Sequence, residues 1–490
     1  MKIKITTKKG LTRKLFGQIG LLIFVLFIAL TACFTFYRLR GLTAEERIAL
    51  ATMNKDYRPP AHGVNAFPLL FYMRYDVPND QLSAQMAIDI KKVSERLNKA
   101  IINTSDELNN QHKSTTRIIN GRQHFYIADP WGYMLGGSHL PALSEHEADV
   151  LCHVGDKGCL TKVAANRDAV SAALAAHPVI GARAQALEDT DFYWEEFPAD
   201  FRSPSEHASD APMLWLSAFA LKYIQGDRTG ALAATCRNIA AWRRITHGSN
   251  SLFGEIFASA RMDGAIRLYA DMLAGLPIGS AVPDDCALAL QPVVATDVER
   301  CAVLARQYSI FESSDILGKE KILESSKTMR LYAGMLLDSR KTAAWTAQLL
   351  AASCGDGATA LFLADERPSR QPVHSFLGIP FTKGLACIAN IRGCGFIAGD
   401  TPIYEAYDSR ILDQAAHLRL AATLLWLREH PGGSVDARFE QRPAQLRSPH
   451  HHSWYDSRDG ILYVENFDQT HARGKQFGLP VTAILNNQIF

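Results

Sequence analysis

The sequence predicts a mainly α-helical protein: an N-terminal transmembrane helix, then a body of helical hairpins, then a small C-terminal β element. Three observations carry that expectation. Residues 15–37 form a run of 23 without a charged side chain. Apolar residues recur at three- and four-residue steps through much of the body, the period of an amphipathic helix. The tail changes character, with two short β-prone runs, Ile461-Leu462-Tyr463-Val464 and Val481-Thr482-Ala483-Ile484-Leu485.

The hydrophobic run comes first. A helix rises ~1.5 Å per residue, so this run spans a hydrocarbon core of ~30 Å. Inside lipid a helix satisfies all its own backbone groups. Six cations precede the run (Lys2, Lys4, Lys8, Lys9, Arg13 and Lys14), and no acid does. The positive-inside rule therefore makes residues 1–14 a cytoplasmic basic tail. Arg38 and Arg40 follow the run and weaken this asymmetry without reversing it. No later segment reaches 18 uncharged apolar residues, so one crossing of the lipid bilayer, through residues 15–37, is expected. The predicted location is a bacterial inner membrane with the body in the periplasm. A rival reading rests on Leu30-Thr31-Ala32-Cys33, which resembles the lipobox of bacterial lipoproteins and implies lipidation at Cys33. Phe34-Thr35-Phe36-Tyr37 continues the apolar run where lipoproteins turn polar, so the uncleaved helix is the favoured reading. Lipidation at Cys33 is the alternative, and ordinary signal cleavage the third reading. All three put the body beyond the membrane.

At 490 residues the chain is long enough for two or three domains. Apolar residues at 47% supply a sizeable core, and charged residues at 21% argue against wholesale disorder. The net charge is +2, so removing the six leading cations leaves the remainder at −4. A mildly acidic body argues against nucleic acid as a partner, because phosphate neutralisation needs a dense cationic face.

Nine cysteines follow the same logic. One, Cys33, sits in the anchor. The other eight form an even set, which in an exported chain predicts disulfides. Cys152 with Cys159 and Cys387 with Cys394 share a spacing of seven, with glycines nearby that let a short loop close. Cys286 and Cys301 flank a loop and a helix start and are expected to pair, which leaves Cys236 and Cys354. The alternative is free buried thiols. No Cys-x-x-Cys occurs, which argues against a zinc ribbon.

Along the chain, residues 38–160 read as a membrane-proximal region of helix and loop. Arg58-Pro59-Pro60 stops a first helix. An aromatic-rich stretch from Val64 to Val77 is expected to dock back on the body. Gln81 to Asn109 has helical spacing, and residues 110–160 read as irregular, with turns at Asp129–Tyr133 and Gly136–Ser138. Residues 161–435 read as the helical body. Thr161 to Ala186 is helical and broken at Pro178. Residues 188–212 are an acidic, aromatic loop. Met213–Gln225, Ala231–Thr246 and Ser251–Leu276 are three helices, the first two joined by Gly226-Asp227. Residues 278–292 are a loop. Asp297–Tyr308, Ile322–Leu337, Thr342–Ser353 and Tyr404–His430 are further helices, with a proline-rich loop over 364–383. Residues 436–490 are the small β-containing tail, in which Asp459-Gly460 signals a hairpin.

The hairpin around Gly226-Asp227, with small residues just after it, resembles a single tetratricopeptide-type hairpin. The period does not recur, so no solenoid is implied. The order of Asn65-Ala66-Phe67, Tyr75-Asp76-Val77-Pro78, Cys159-Leu160, Gly226-Asp227 and Trp242-Arg243-Arg244 is similar to that of uncharacterised bacterial envelope proteins with one N-terminal helix. That likeness implies architecture and no activity.

Each candidate site has an ordinary structural role that competes with a functional one. His450-His451-His452, with Asp456 and Asp459 nearby, has metal-ligand chemistry. In an extended chain only His450 and His452 share a face, so a solvated loop is expected. His146-Glu147 begins a metalloprotease pattern that Val150 breaks. Gly355-Asp356-Gly357-Ala358-Thr359-Ala360 has dinucleotide-loop spacing but lacks the strand such a loop needs before it. Glu195-Glu196 among aromatics resembles a glycosidase acid pair, which needs two carboxylates across a cleft. None outweighs its structural role, so no catalytic residue, cofactor or metal is assigned. The expected function is protein binding or scaffolding for an unidentified envelope protein. The alternative is a cell-envelope hydrolase acting on wall or glycan material.

Overall fold

The structure, a computed structural model, describes residues 9–100, 115–119, 122–126, 135, 138–200, 202–204, 211–277, 279–313, 337–369, 387, 389–468 and 474–481. The helix expected over 322–337 lies, but for its last residue, outside these. So do the turn at 129–133 and residues 482–485 of the second β-prone run. The protein is mainly helical, with an apolar N-terminal helix and a three-stranded C-terminal sheet.

Two units interleave along the chain. The first comprises Met1–Thr52, Asp315–Leu349 and Arg370–Pro402. Its leading helix, Lys9–Leu39, contains a span at Ile19–Leu39 with mean hydropathy 2.7, none of it buried against protein. Cys33 lies within this helix. A second helix, Ala44–Met53, starts with a reciprocal cap. The Thr43 N–H donates to Glu46 Oε2 at 2.7 Å, and the Glu46 N–H donates to Thr43 Oγ1 at 3.1 Å. Glu46 then accepts from Lys341 Nζ at 2.9 Å and Trp345 Nε1 at 3.0 Å on the helix Ser339–Ala351. Burial pushes its carboxyl upward, but these donors outweigh that and hold it below the ordinary glutamate range. Cys387–Cys394 closes a short loop here. Beside it, the Asn390 side chain bonds Thr342 and the Asp338 N–H.

The second unit comprises Met53–Ser314, Leu350–Ser369 and Ile403–Phe490. Its entry is aromatic. Asn65 caps the short helix Ala66–Phe71 and also accepts from the Trp194 N–H at 2.8 Å. Phe67 then meets Tyr193 and Phe197 edge to face, at 5.5 and 5.6 Å between ring centroids. Three short helices follow one another: Cys159–Ala165, Arg167–Ala176 and Pro178–Ala186. Pro178 begins the last of them, a position where its missing N–H costs nothing.

The centre is built from Ala211–Ile224, Arg228–His247 and Leu252–Ala274. The turn between the first two needs glycine, since Gly226 has φ +104. Asp227 caps the second helix by accepting from the Gly230 N–H at 3.0 Å. Trp242 is fully buried and donates to Asn238 Oδ1 at 3.0 Å. Arg243 forks onto Asp297 at 2.8 and 2.6 Å and bonds the carbonyls of Ala289, Gln291 and Pro292. Residues 278–292, expected as a loop, include the helix Asp284–Ala289.

The cysteine pairing corrects one expectation. Cys286 does not join Cys301: Cys236 joins Cys286, and Cys301 joins Cys354. Cys236 lies on the buried face of its helix, where Cys286 packs against it, while Cys301 opens a helix and Cys354 lies in the turn before the helix Asp356–Leu363. Cys152 joins Cys159.

The helix expected from Tyr404 starts earlier, at Ile391, and runs through Pro402 to Glu429. The tail folds as an antiparallel meander of Ser453–Asp456, Ile461–Glu465 and Gln476–Pro480. Gly460, at φ +65, closes the first hairpin. Leu462, Val464, Phe477 and Leu479 form its buried face.

Candidate functional site

A cleft of about 340 Å³ opens in the second unit against the central hairpin. Leu174, Leu214, Trp215 and Phe219 give it an apolar floor, Gln185, Glu188, Lys222 and Arg237 give it a polar rim, and His177 is buried in its wall. The floor exists because Ala211–Ile224 is apolar nearly all round. One side of that helix enters the core, and the other still carries Phe219 and Ala218. Small residues (Gly181, Ala184, Ala218 and Ala234) keep the space open. The rim charges hold each other in place. Arg237 Nε lies 2.6 Å from Glu188 Oε2 and Arg237 Nη1 3.5 Å from Asp285 Oδ2, while Lys222 meets Asp227 at 3.2 Å. The bonds from Glu188 keep the Arg237 guanidinium firmly protonated. His177 sits 3.3 Å from Glu147, whose carboxyl is pulled below its usual range chiefly by the Ser144 cap. An apolar floor with a few fixed polar groups is the usual make-up of a binding cleft. No nucleophile with an adjacent base faces it among the described residues.

A second constellation is closed to solvent. His451 Nδ1 lies 2.7 Å from Asp365 Oδ2 and Nε2 lies 3.1 Å from Asp413 Oδ1, with all three side chains fully buried. Asp365 is the one non-glycine with positive φ among the described residues, at +64. There its carboxylate also takes the backbone N–H groups of His450 and His451. Of the three consecutive histidines, the middle one is thus the engaged one. His450 is exposed beside Glu366, and His452 stacks on Trp454. The solvated loop expected here describes His450 and His452, which are exposed, but not the buried His451. The missed partner is Asp413 on the long helix, fully buried in a row with Arg410 and His417.

The remaining candidates have structural roles. Glu195 is held by Arg306 at 2.7 Å and Glu196 by Asn65 at 2.8 Å, and neither lines the cleft. Gly355 caps the helix Asp356–Leu363 and is preceded by helix, not strand. Glu147 completes the Ser144 capping box. Among the described residues no group of three His, Cys, Asp or Glu side chains is placed to hold a metal ion. No protein-family model, curated protein or solved structure matches this chain.

Proposed function

We propose that this chain is a membrane-tethered binding protein of the bacterial envelope. Residues 15–37 hold it in the inner membrane, its body lies in the periplasm, and it docks another envelope protein. The observation that carries this reading is the cleft against Ala211–Ile224, ligand-sized, apolar at its floor and polar at its rim. Two features support the location. The N-terminal helix is apolar and unburied, and eight body cysteines form four disulfides, which persist in oxidising compartments. The docking role rests on the make-up of that cleft, an apolar floor ringed by paired charges. The test is a photoreactive phenylalanine analogue placed at Phe219 in full-length protein in native membranes. Discrete adducts at 219, absent from a control probe at exposed Leu288, are expected; matching patterns at both positions would contradict the reading.

A further inference from the structure

The long helix Ile391–Glu429 presents a polar row to the C-terminal sheet, spaced so that consecutive turns grip one short segment. Arg410 Nε meets Asp468 Oδ2 at 2.8 Å. Asp413 accepts from the Phe467 N–H at 2.6 Å and the Asp468 N–H at 3.0 Å. His417, one turn on, lies 2.9 Å from Asn466 Oδ1, with Asp263 at 2.7 Å on its other nitrogen. Three side chains thus hold Asn466, Phe467 and Asp468, the segment after the middle strand, while the apolar face of the sheet packs into the core. His451 completes it from the far side. Its ring packs on Phe467, at 3.8 Å between centroids, and its nitrogens bridge Asp365 and Asp413.

A neutral imidazole has one N–H, and ionised carboxylates only accept. A neutral His451 would therefore turn a lone pair toward a carboxylate oxygen in a fully buried site, and a buried unsatisfied polar group is costly. Two backbone N–H groups, those of Phe467 and Asp468, already donate to Asp413. We propose that His451 works as a charged latch: its imidazolium ties the segments flanking the C-terminal strands, around His451 and Asn466–Asp468, to the long helix, and loss of its proton loosens them. The surrounding charges fit. From the long helix come Asp413 and Arg419, the latter 3.3 Å from Asp365. From the loop after Asp356–Leu363 come Asp365, with Glu366 turned outward to His450, and Arg367 over the far ring of Phe467. Two anions thus face two cations around the ring.

Burial opposes the charged ring, but the bonds and charges of Asp365 and Asp413 outweigh it and raise its pKa above the usual 6.5. A group whose pKa is raised by folding stabilises fully below its unfolded value, and that stability fades as pH rises through the folded value. The latch is therefore closed below about pH 6.5 and opens on the alkaline side.

The test uses the full chain in detergent with isotope-labelled histidine, the His451 signal being assigned by its loss in His451→Gln. A doubly protonated ring at pH 6 is expected, losing a proton only well above pH 6.5. In parallel, tryptic cleavage at Arg447 and Arg458, normalised to a free peptide at each pH, should quicken about tenfold between pH 6 and pH 9. Asp413→Asn, which removes one anionic partner, should move that transition to lower pH. A singly protonated ring at pH 6, a flat cleavage profile, or an unmoved transition in Asp413→Asn would each overturn the proposal.

Discussion

Arg300 carries its guanidinium where water does not reach, bonded to Glu255 at 3.1 and 2.8 Å and to Asp408 at 2.6 Å. Removing one member of such a buried set leaves uncompensated charge, which typically costs about 3–5 kcal/mol. Arg300→Ala is thus expected to lower stability by that order in denaturant unfolding, since it strands two carboxylates at once. Asp271 gives a gentler, pH-dependent case. It accepts from the backbone N–H groups of Gly158 and Cys159, yet burial dominates and raises its pKa to about 6. A carboxyl raised by folding favours the folded state below its unfolded pKa, and that advantage disappears as pH climbs through 6. Asp271→Asn does not titrate, so its Tm relative to wild type should rise as pH increases from 4 to 7. A constant difference across that range would contradict the assignment. Neither residue stood out in the sequence. Both lie in helical patterns where a lone charge reads as solvated, and only long-range packing makes them interior.

At the scale of elements, glycine chemistry divides the helices into crowded and open faces. A Cβ on Gly264 would come within 2.9 Å of the Val154 backbone, so Gly264→Ala must push the helix Leu252–Ala274 from the Cys152–Cys159 loop. A cost of about 1–3 kcal/mol is expected. Gly357 has nothing within 4 Å, so Gly357→Ala is expected to stabilise by up to about 1 kcal/mol through helix propensity. Similar Tm values for the two variants would contradict this contrast. The three central helices and the Asp459-Gly460 hairpin were legible locally, because their caps, turn glycines and apolar spacing all act within a few residues. The start of the long helix was not. Pro402 signals a break, but its surroundings accommodate it and the helix begins at Ile391. The pairing of Cys286 was illegible for a different reason. Spacing favours a neighbour fifteen residues on, while the fold brings up Cys236 from fifty residues away.

For the whole molecule, the four disulfides differ in how much of the chain they tie. Cys236–Cys286 and Cys301–Cys354 span separations of 50 and 53, against 7 for the other two. In the chain-entropy model the long closures contribute about 4 kcal/mol each and the short ones about 2. Replacing Cys236 and Cys286 by serine should therefore destabilise more than replacing Cys152 and Cys159, as read by denaturant midpoint. The cleft was hidden from sequence because its walls come from separate helices whose outward residues look like ordinary surface. The apolar N-terminal helix was legible, being a single contiguous run. The compartment follows from which side of the bilayer the body occupies. The most direct measurement is a thiol count on full-length protein from acid-quenched bacterial cells, denatured and treated with a mass-tagged maleimide. With the body exported, at most the thiol of Cys33 takes a tag before reduction and the eight body cysteines take it only afterwards. Eight tags without reductant would place the body in the reducing cytoplasm and contradict the account.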